Sequence, residues 1–349
     1  MSESRPAAVI ILAAGEGTRM KSSLPKVLHP ICGRPMIGHA VAAARALDPE
    51  TLIVVVGHLR DQVVSALAEF APEARTVIQH RQGGTGHAVR MVIEATGLAQ
   101  GTVVVTYGDT PVLRGETLAR LLAVHAAENA AATALTTIMD DPTGYGRVLR
   151  DPSGRFEEIV EEADATPGQR AIKEVNSGIY AFDAALLADA IKRVTTDNAK
   201  GEEYLTDVAA ILRSEGHHVA SVLITDCDEV RGVNDRAQLA EARQVLNARL
   251  LRDWMLAGVT VVDPGSTAID ADVTLAPEAE VGPGTQLEGK TVVERGARVG
   301  PGCLLRDTRV GAGARLTHAF CESAVIAPGA SVGPFSYLPP GTRYGASPG

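Results

Sequence analysis

Positive charge is in short supply in this chain. Lysine and arginine number 33 against 42 aspartates and glutamates, a net charge of −9. No basic footprint runs along it, so a nucleic-acid partner is not expected, although a local basic pocket for a phosphorylated small molecule is compatible with that balance. No run approaches the ~20 apolar residues of a membrane span, so no membrane contact is expected. The short apolar run Ala7–Gly15 is followed at once by Glu16, Arg19 and Lys21, and reads as a buried first strand rather than a secretion signal. The four cysteines, Cys32, Cys227, Cys303 and Cys321, are scattered and form no CxxC pair. That argues against a zinc cage or a disulfide framework and suits a reducing cytoplasm. No Gly-x-Ser-x-Gly elbow occurs, and no motif sets a histidine beside a cysteine, so nothing points to nucleophilic catalysis.

What is plentiful is apolar residue, 45% of 349 positions, which rules out disorder. At ~100–200 residues per domain the length suggests roughly two domains. Over residues 7–257 apolar β-like runs recur at Val9–Ala13, Leu52–Val56, Thr76–Gln79, Thr102–Thr106, Ala132–Thr137 and Ile179–Phe182. Between them, stretches such as Ile37–Leu47 and Thr117–His125 carry apolar residues at helical spacing. Alternating strands and helices imply an α/β domain with a mostly parallel sheet, and such sheets bind ligands at the carboxyl ends of their strands.

Near Gly258 the texture changes. Ile269, Leu275, Val281, Leu287, Val293 and Val299 are spaced by six without a break. The phase reads as slipping at Leu305, resuming at Val310 and Leu316, and returning at Ile326, Val332 and Leu338. One inward aliphatic residue per hexad marks a parallel β-helix of roughly four coils. Ser336–Gly349, rich in proline and glycine, is expected to be a loose tail. The sequence thus divides into a domain over residues 1–238, a linker helix over 239–258 and a β-helix over 259–349.

Three segments could carry chemistry, each at a strand end. In Leu12-Ala13-Ala14-Gly15-Glu16-Gly17-Thr18-Arg19-Met20, with Leu24-Pro25-Lys26 beyond, the glycines let backbone N–H groups turn towards phosphate oxygens, and Arg19 and Lys26 add fixed positive charge. Met20 stands where a dinucleotide fingerprint needs its third glycine, and no Gly-Lys-Ser/Thr follows, so neither standard phosphate loop applies. Gln79-His80-Arg81-Gln82-Gly83-Gly84-Thr85-Gly86-His87 is either a plain glycine-rich loop or a rim whose amides read a base edge, with His87 opening a helix over Ala88–Ala95. In Tyr107-Gly108-Asp109-Thr110-Pro111, Asp109 is either a turn opener or a hard ligand for Mg²⁺. Phosphate-facing backbone, two cations, a carboxylate and amides form the toolkit of in-line phosphoryl or nucleotidyl transfer.

The pieces LAAGEGTRM, LPK, QHRQGGTGHA, YGDTP, GYGR, IVEEADAT, EVNSGIY, EYLTD and GVN occur in one order. Together they resemble the bacterial bifunctional N-acetylglucosamine-1-phosphate uridylyltransferase/glucosamine-1-phosphate acetyltransferase family over essentially the whole chain. The resemblance implies a nucleotidyltransferase α/β domain followed by a left-handed parallel β-helix that trimerises. It implies that Leu12, Ala13, Ala14 and Gly15 meet the uridine and approach the phosphates, and that Arg19 and Lys26 neutralise the triphosphate. Gln79, Gln82, Gly84 and Thr85 would read uracil, and Tyr107 and Gly108 would line the sugar-nucleotide pocket. Asp109 and Asn234 would hold Mg²⁺. Gly146, Glu161, Asn176, Tyr204 and Thr206 would bind the N-acetylglucosamine moiety. The substrates implied are UTP and N-acetylglucosamine 1-phosphate, and the product's default use is peptidoglycan synthesis.

Two departures stand out. The family continues through further β-helix and a C-terminal tail, whereas this chain stops at Gly349, and Leu338-Pro339-Pro340-Gly341 stands where the family has Leu-Arg-Pro-Gly. The expectation is a uridylyltransferase without acetyltransferase activity. Gly83 replaces the family's usual leucine, which is expected to loosen the base-binding loop. Two alternatives remain at this stage: a nucleotidyltransferase for another sugar 1-phosphate or for dTTP, and a non-catalytic regulatory or assembly subunit of the same architecture.

Overall fold

The computed structural model describes residues 5–345. The chain divides into two compact units, one formed by residues through His29 together with Pro35–Arg236, the other by Pro30–Arg34 and Ala237 onward. The sequence reading set this division at residue 238 and gave the second unit no share of residues 30–34.

The first unit opens with β1 (Ala8–Ala13); the short hairpin of β2 (Pro30–Ile31) and β3 (Arg34–Pro35) comes next in the chain but belongs to the second unit up to Arg34, and α1 (Met36–Arg45) resumes the first. Then come β4 (Thr51–Val56), α2 (Arg60–Phe70), β5 (Arg75–Ile78), α3 (Thr85–Thr96), β6 (Thr102–Tyr107) and α4 (Gly115–Ala127). The unit closes with β7 (Ala132–Ile138), β8 (Arg147–Arg150), β9 (Phe156–Val160), α5 (Pro167–Arg170), β10 (Glu174–Asp183), α6 (Ala184–Ala190), α7 (Thr206–Ser214) and β11 (Val219–Ile224). The main sheet runs β11-β7-β10-β6-β1-β4-β5. Neighbours are parallel except β10, which runs antiparallel to both β6 and β7.

Alternate residues of β1 feed two cores. Ala8, Ile10 and Leu12 pack on one face with Val89 and Val92 of α3 and Val208 and Leu212 of α7. Val9, Ile11 and Ala13 pack on the other with Ile37 and Val41 of α1 and Leu118 and Leu121 of α4. A strand covered on both faces must be apolar throughout, and β1 is buried at all six positions. From β1 the chain proceeds one way to β4 and β5, then returns to the other side of β1 as β6. The carboxyl ends of β1 and β6 therefore flank the point where strand order reverses, the place such sheets bind ligands. His87 lies inside α3 rather than at its start: Gly84, at φ 100°, turns the chain so that the helix begins at Thr85.

In the second unit α8 (Arg236–Leu256) leads into fifteen short strands, β12 (Thr260–Val261) to β26 (Arg343–Tyr344). They stack as three parallel sheets of five strands, β12-β15-β18-β21-β24, β13-β16-β19-β22-β25 and β14-β17-β20-β23-β26. This is the left-handed parallel β-helix that the hexads call for, with five rungs on each face rather than about four coils. Leu305 is fully buried and in register, six residues after Val299. The slips come after it: Leu305 to Val310, Leu316 to Cys321 and Cys321 to Ile326 are five residues each. Cys321 fills an inward position because a thiol is about the size of a small aliphatic group. Two residues before most inward aliphatics sits a small buried residue, such as Thr285, Ala297 or Ala314, where the chain turns a corner too tight for bulk. Tyr337–Leu338 and Arg343–Tyr344 continue the rungs, so the segment from Ser336 is not a loose tail as far as Gly345; residues 346–349 lie outside the described residues.

The first rung would leave an open edge, a liability in any stacked sheet. Here α8 covers it. Leu251 packs into the apolar spine with Val261 and Ile269. Asn247 donates to the Thr267 carbonyl at 2.9 Å and accepts from the Ile269 N–H at 2.9 Å.

Candidate active site

Two clefts open at the carboxyl edge of the sheet. One, of about 260 Å³, is lined by Leu12, Ala13, Ala14, Gly15, Lys26, Gln79, Gln82, Gly84, Thr85, Tyr107 and Asp109, with Val27, Ala88 and Glu202. The other, of about 200 Å³, is lined by Gly146, Glu161, Asn176, Tyr204 and Thr206 among others. Thr85, Tyr107 and Glu202 line both, so the two are halves of one groove. Most of the residues implied by the resemblance therefore meet. Two stand apart. Arg19 is exposed on the short turn Thr18–Met20 and is not among the lining residues. Gly108 lies behind the wall, where its N–H donates to the Leu12 carbonyl at 2.9 Å and a Cβ would sit 3.2 Å from Ala13.

The first loop closes on itself at Gly17. Its φ is +64°, and a Cβ there would come 2.5 Å from the Lys26 Cβ, so only glycine lets the 15–17 turn rest on the lysine stem. Lys26 Nζ donates to Asp109 Oδ2 and, at 3.0 Å, to Asn234 Oδ1. Asn234 arrives on a loop anchored where the Val233 N–H donates to the Asp109 carbonyl at 2.8 Å. Three residues more than eighty positions apart in pairs thus converge on one cation position at the end of β6. Among the described residues no group of three or more His, Cys, Asp or Glu side chains gathers as a metal cage. A carboxylate plus an amide oxygen is nonetheless a sufficient protein contribution for Mg²⁺, which keeps waters and takes substrate phosphate oxygens. The ammonium of Lys26 already stands between the two oxygens as a cation does.

The base-side rim is held from two directions. Gln79 is buried and its Nε2 donates to the Gly84 carbonyl at 3.0 Å and lies 3.0 Å from His87 Nδ1. Its amide NH₂ is therefore committed to shaping the loop. Burial pushes the His87 pKa down, which keeps the ring neutral and able to accept from Gln79. Gly83 has a local reason to be glycine, because a Cβ there would lie 2.8 Å from the His87 ring. The ring fills the space beside the loop that a side chain at 83 would need. From the other side, Glu203 N–H donates to the Gly83 carbonyl at 2.7 Å and Gly86 N–H to the Glu203 carbonyl at 2.8 Å. The buried Glu203 carboxylate takes a two-pronged pair from Arg90, at 2.9 and 2.6 Å. Sequence reasoning missed Glu203 and Arg90; their spacing of 113 residues leaves no local signal.

On the second side, β10 shifts register between Asn176 and Tyr180. Such a bulge re-aims side chains next to sites. Asn176 Oδ1 accepts from the Gly178 N–H at 3.0 Å and from Tyr180 Oη at 2.9 Å, which leaves its NH₂ as the donor for a ligand. Gly178, at φ +79°, is covered by Tyr107, whose hydroxyl would lie 2.5 Å from a Cβ. Thr206 Oγ1 donates to Glu161 Oε1 at 3.2 Å, and burial raises the Glu161 pKa. Tyr204 is 7% exposed, its hydroxyl has no hydrogen-bond partner among the described residues, and burial pushes its pKa up to about 12. The next carboxylate, Asp207, is raised to about 6 by burial and by the charges of Glu161 and Asp164.

A switch-point cleft with a lysine, a carboxylate and an amide at one strand end, continued by a polar pocket, defines a nucleotidyltransferase. The comparisons agree. A model of MobA-like NTP transferase domains matches residues 9–175. The bifunctional protein GlmU of Streptomyces avermitilis is 59% identical over 348 residues, 99% of this chain and 72% of that protein. GlmU of Streptomyces coelicolor is 57% identical over 347 residues, 99% of this chain and 72% of that protein. GlmU of Thermobifida fusca is 56% identical over 332 residues, 94% of this chain and 69% of that protein. The chain belongs to the GlmU family, and it is an enzyme with the uridylyltransferase role.

Proposed function

We propose that the chain transfers the uridylyl group of UTP to N-acetylglucosamine 1-phosphate, giving UDP-N-acetylglucosamine and pyrophosphate, with Mg²⁺ held by Asp109 and Asn234. The observation that carries this reading is the convergence of Lys26, Asp109 and Asn234, with Lys26 and Asp109 lining the first cleft. UTP lies along the first cleft, its base against the 79–85 rim and its phosphates over the β1 turn. The sugar occupies the second, where Asn176 donates, Glu161 accepts and the Tyr204 hydroxyl finds its partner. Arg19 reaches the phosphates from its exposed turn. Mg²⁺ held by Asp109 and Asn234 would supply neutralisation of phosphate charge. Lys26 holds the developing negative charge near the α-phosphorus while the sugar phosphate oxygen attacks in line. That oxygen is already anionic, so no general base is required, and no histidine is among the residues lining either cleft.

Pro339 replaces an arginine that the family resemblance assigns to acetyl transfer, and the chain is expected not to acetylate glucosamine 1-phosphate. Self-association through the β-helix, as a trimer, belongs to the same reading. The test is pyrophosphate release by the purified chain with UTP or dTTP and a panel of sugar 1-phosphates, with and without Mg²⁺. Turnover is expected with UTP and N-acetylglucosamine 1-phosphate and only with the metal. A preference for another pair, or metal-independent turnover, overturns the reading. Acetyl-CoA-dependent acetylation overturns the second expectation alone.

A further inference from the structure

The motif Gly144-Tyr145-Gly146-Arg147 yields Gly146 to the sugar-side cleft and leaves its arginine unexplained. Arg147 is among the largest fully buried side chains of the molecule, 2% exposed. Burying a guanidinium is costly unless it is paired and hydrogen-bonded. Here Nη1 donates to the Tyr145 carbonyl, Nε donates to the Arg170 carbonyl at 3.3 Å, and Nη2 lies 2.6 Å from Glu162 Oε2.

Where those partners lie gives the arginine its meaning. Arg147 opens β8 opposite Val160 of β9 and Val175 of β10. One step along each strand from that rung stand Gly146, Glu161 and Asn176, the three residues read as gripping the sugar. The Asn176 N–H also donates to the Gly146 carbonyl at 2.8 Å. The guanidinium holds the residue before Gly146, the residue after Glu161 and the end of α5. It does not line the cleft. We propose that Arg147 is a positioning residue that sets the spacing of Gly146 and Glu161 from behind, and thereby the affinity for the sugar 1-phosphate. The proposal rests on the uridylyltransferase reading above.

A lysine keeps the charge but not the fork that binds two carbonyls and a carboxylate together. A methionine fills the space and binds none of them. In the full chain, Arg147→Met is expected to raise KM for N-acetylglucosamine 1-phosphate about tenfold or more, with KM for UTP changed less than about twofold. Arg147→Lys is expected to restore part of the loss. If Arg147→Met does not fold, Glu162→Gln carries the test. It cuts one tether only and is expected to move the sugar KM in the same direction by less. A folded variant whose sugar KM is unmoved, or whose two KM values rise together, overturns the positioning role. The wild-type assay separates the two layers: no turnover by the unaltered chain counts against the uridylyltransferase, whereas normal wild-type turnover with an unmoved sugar KM counts against Arg147 alone.

Discussion

The proposed chemistry turns on Lys26 and Asp109; Asp109 was legible because it follows the end of β6, where α/β sheets keep their ligands, and Lys26 as a cation in the glycine-bearing segment beyond β1. Asn234 was not: in a Gly-Val-Asn turn nothing local separates it from an ordinary turn former, and only the resemblance marked it. Arg147 was hidden for a different reason. Arginine is seldom fully buried, so a sequence reader assigns it to the surface by default. Asp109→Ala removes the carboxylate while Lys26 keeps its bond to Asn234. The fold is expected to survive, with an unchanged circular dichroism spectrum, while turnover falls on the order of 10²- to 10³-fold, the usual scale for losing one charge-stabilising group. A variant that retains full Mg²⁺-dependent turnover would remove Asp109 from the site.

At the level of elements, five parallel strands and the antiparallel β10 were legible from apolar runs, because strands such as β1 and β4, buried on both faces, carry few polar residues to disguise them. The rim at 79–86 was legible only as glycine-rich. Its shape depends on His87 seated against Gly83 and on Glu203 reaching across from residue 203, a complementarity that no short window contains. The rim also titrates. Burial lowers the His87 pKa, so between that lowered value and the ordinary 6.5 the unfolded chain binds more protons than the folded one. Stability from this residue is complete above the ordinary value and drains away as pH falls through that window. Thermal melts from pH 7.5 down to pH 5.5 should therefore show a steeper decline for the wild type than for His87→Gln, whose amide does not ionise. Parallel curves would show that the ring is not held neutral. The difference is one share of the total, since burial lowers His29 and His125 in the same sense. The β-helix was misread in its number of rungs and in its last described segment, and at its five-residue steps around Cys321, which was counted as a cysteine rather than as a small apolar filler.

For the whole molecule, the change of texture near Gly258 was visible, but the compact units part at Arg236 and Ala237, since α8 serves as the lid of the solenoid rather than as a neutral connector. The last described coils carry outward aromatic pairs, His318 with Phe335 at 5.6 Å and Phe320 with Tyr337 at 5.1 Å, and Phe335 is 86% exposed. Such a patch suits burial against further copies of the chain. Light scattering is expected to give a particle three times the 36.4 kDa chain mass, and a species of 36.4 kDa alone would dismiss the trimer.

The five residues Pro30–Arg34 leave the first unit and come back to it, spending their length with the second. No single scission of the polypeptide therefore yields both modules whole. Scissors placed at the end of β11 would release a solenoid stripped of a piece encoded two hundred residues upstream, and anyone shuffling these genes by cassette must carry that small tongue along with its distant owner.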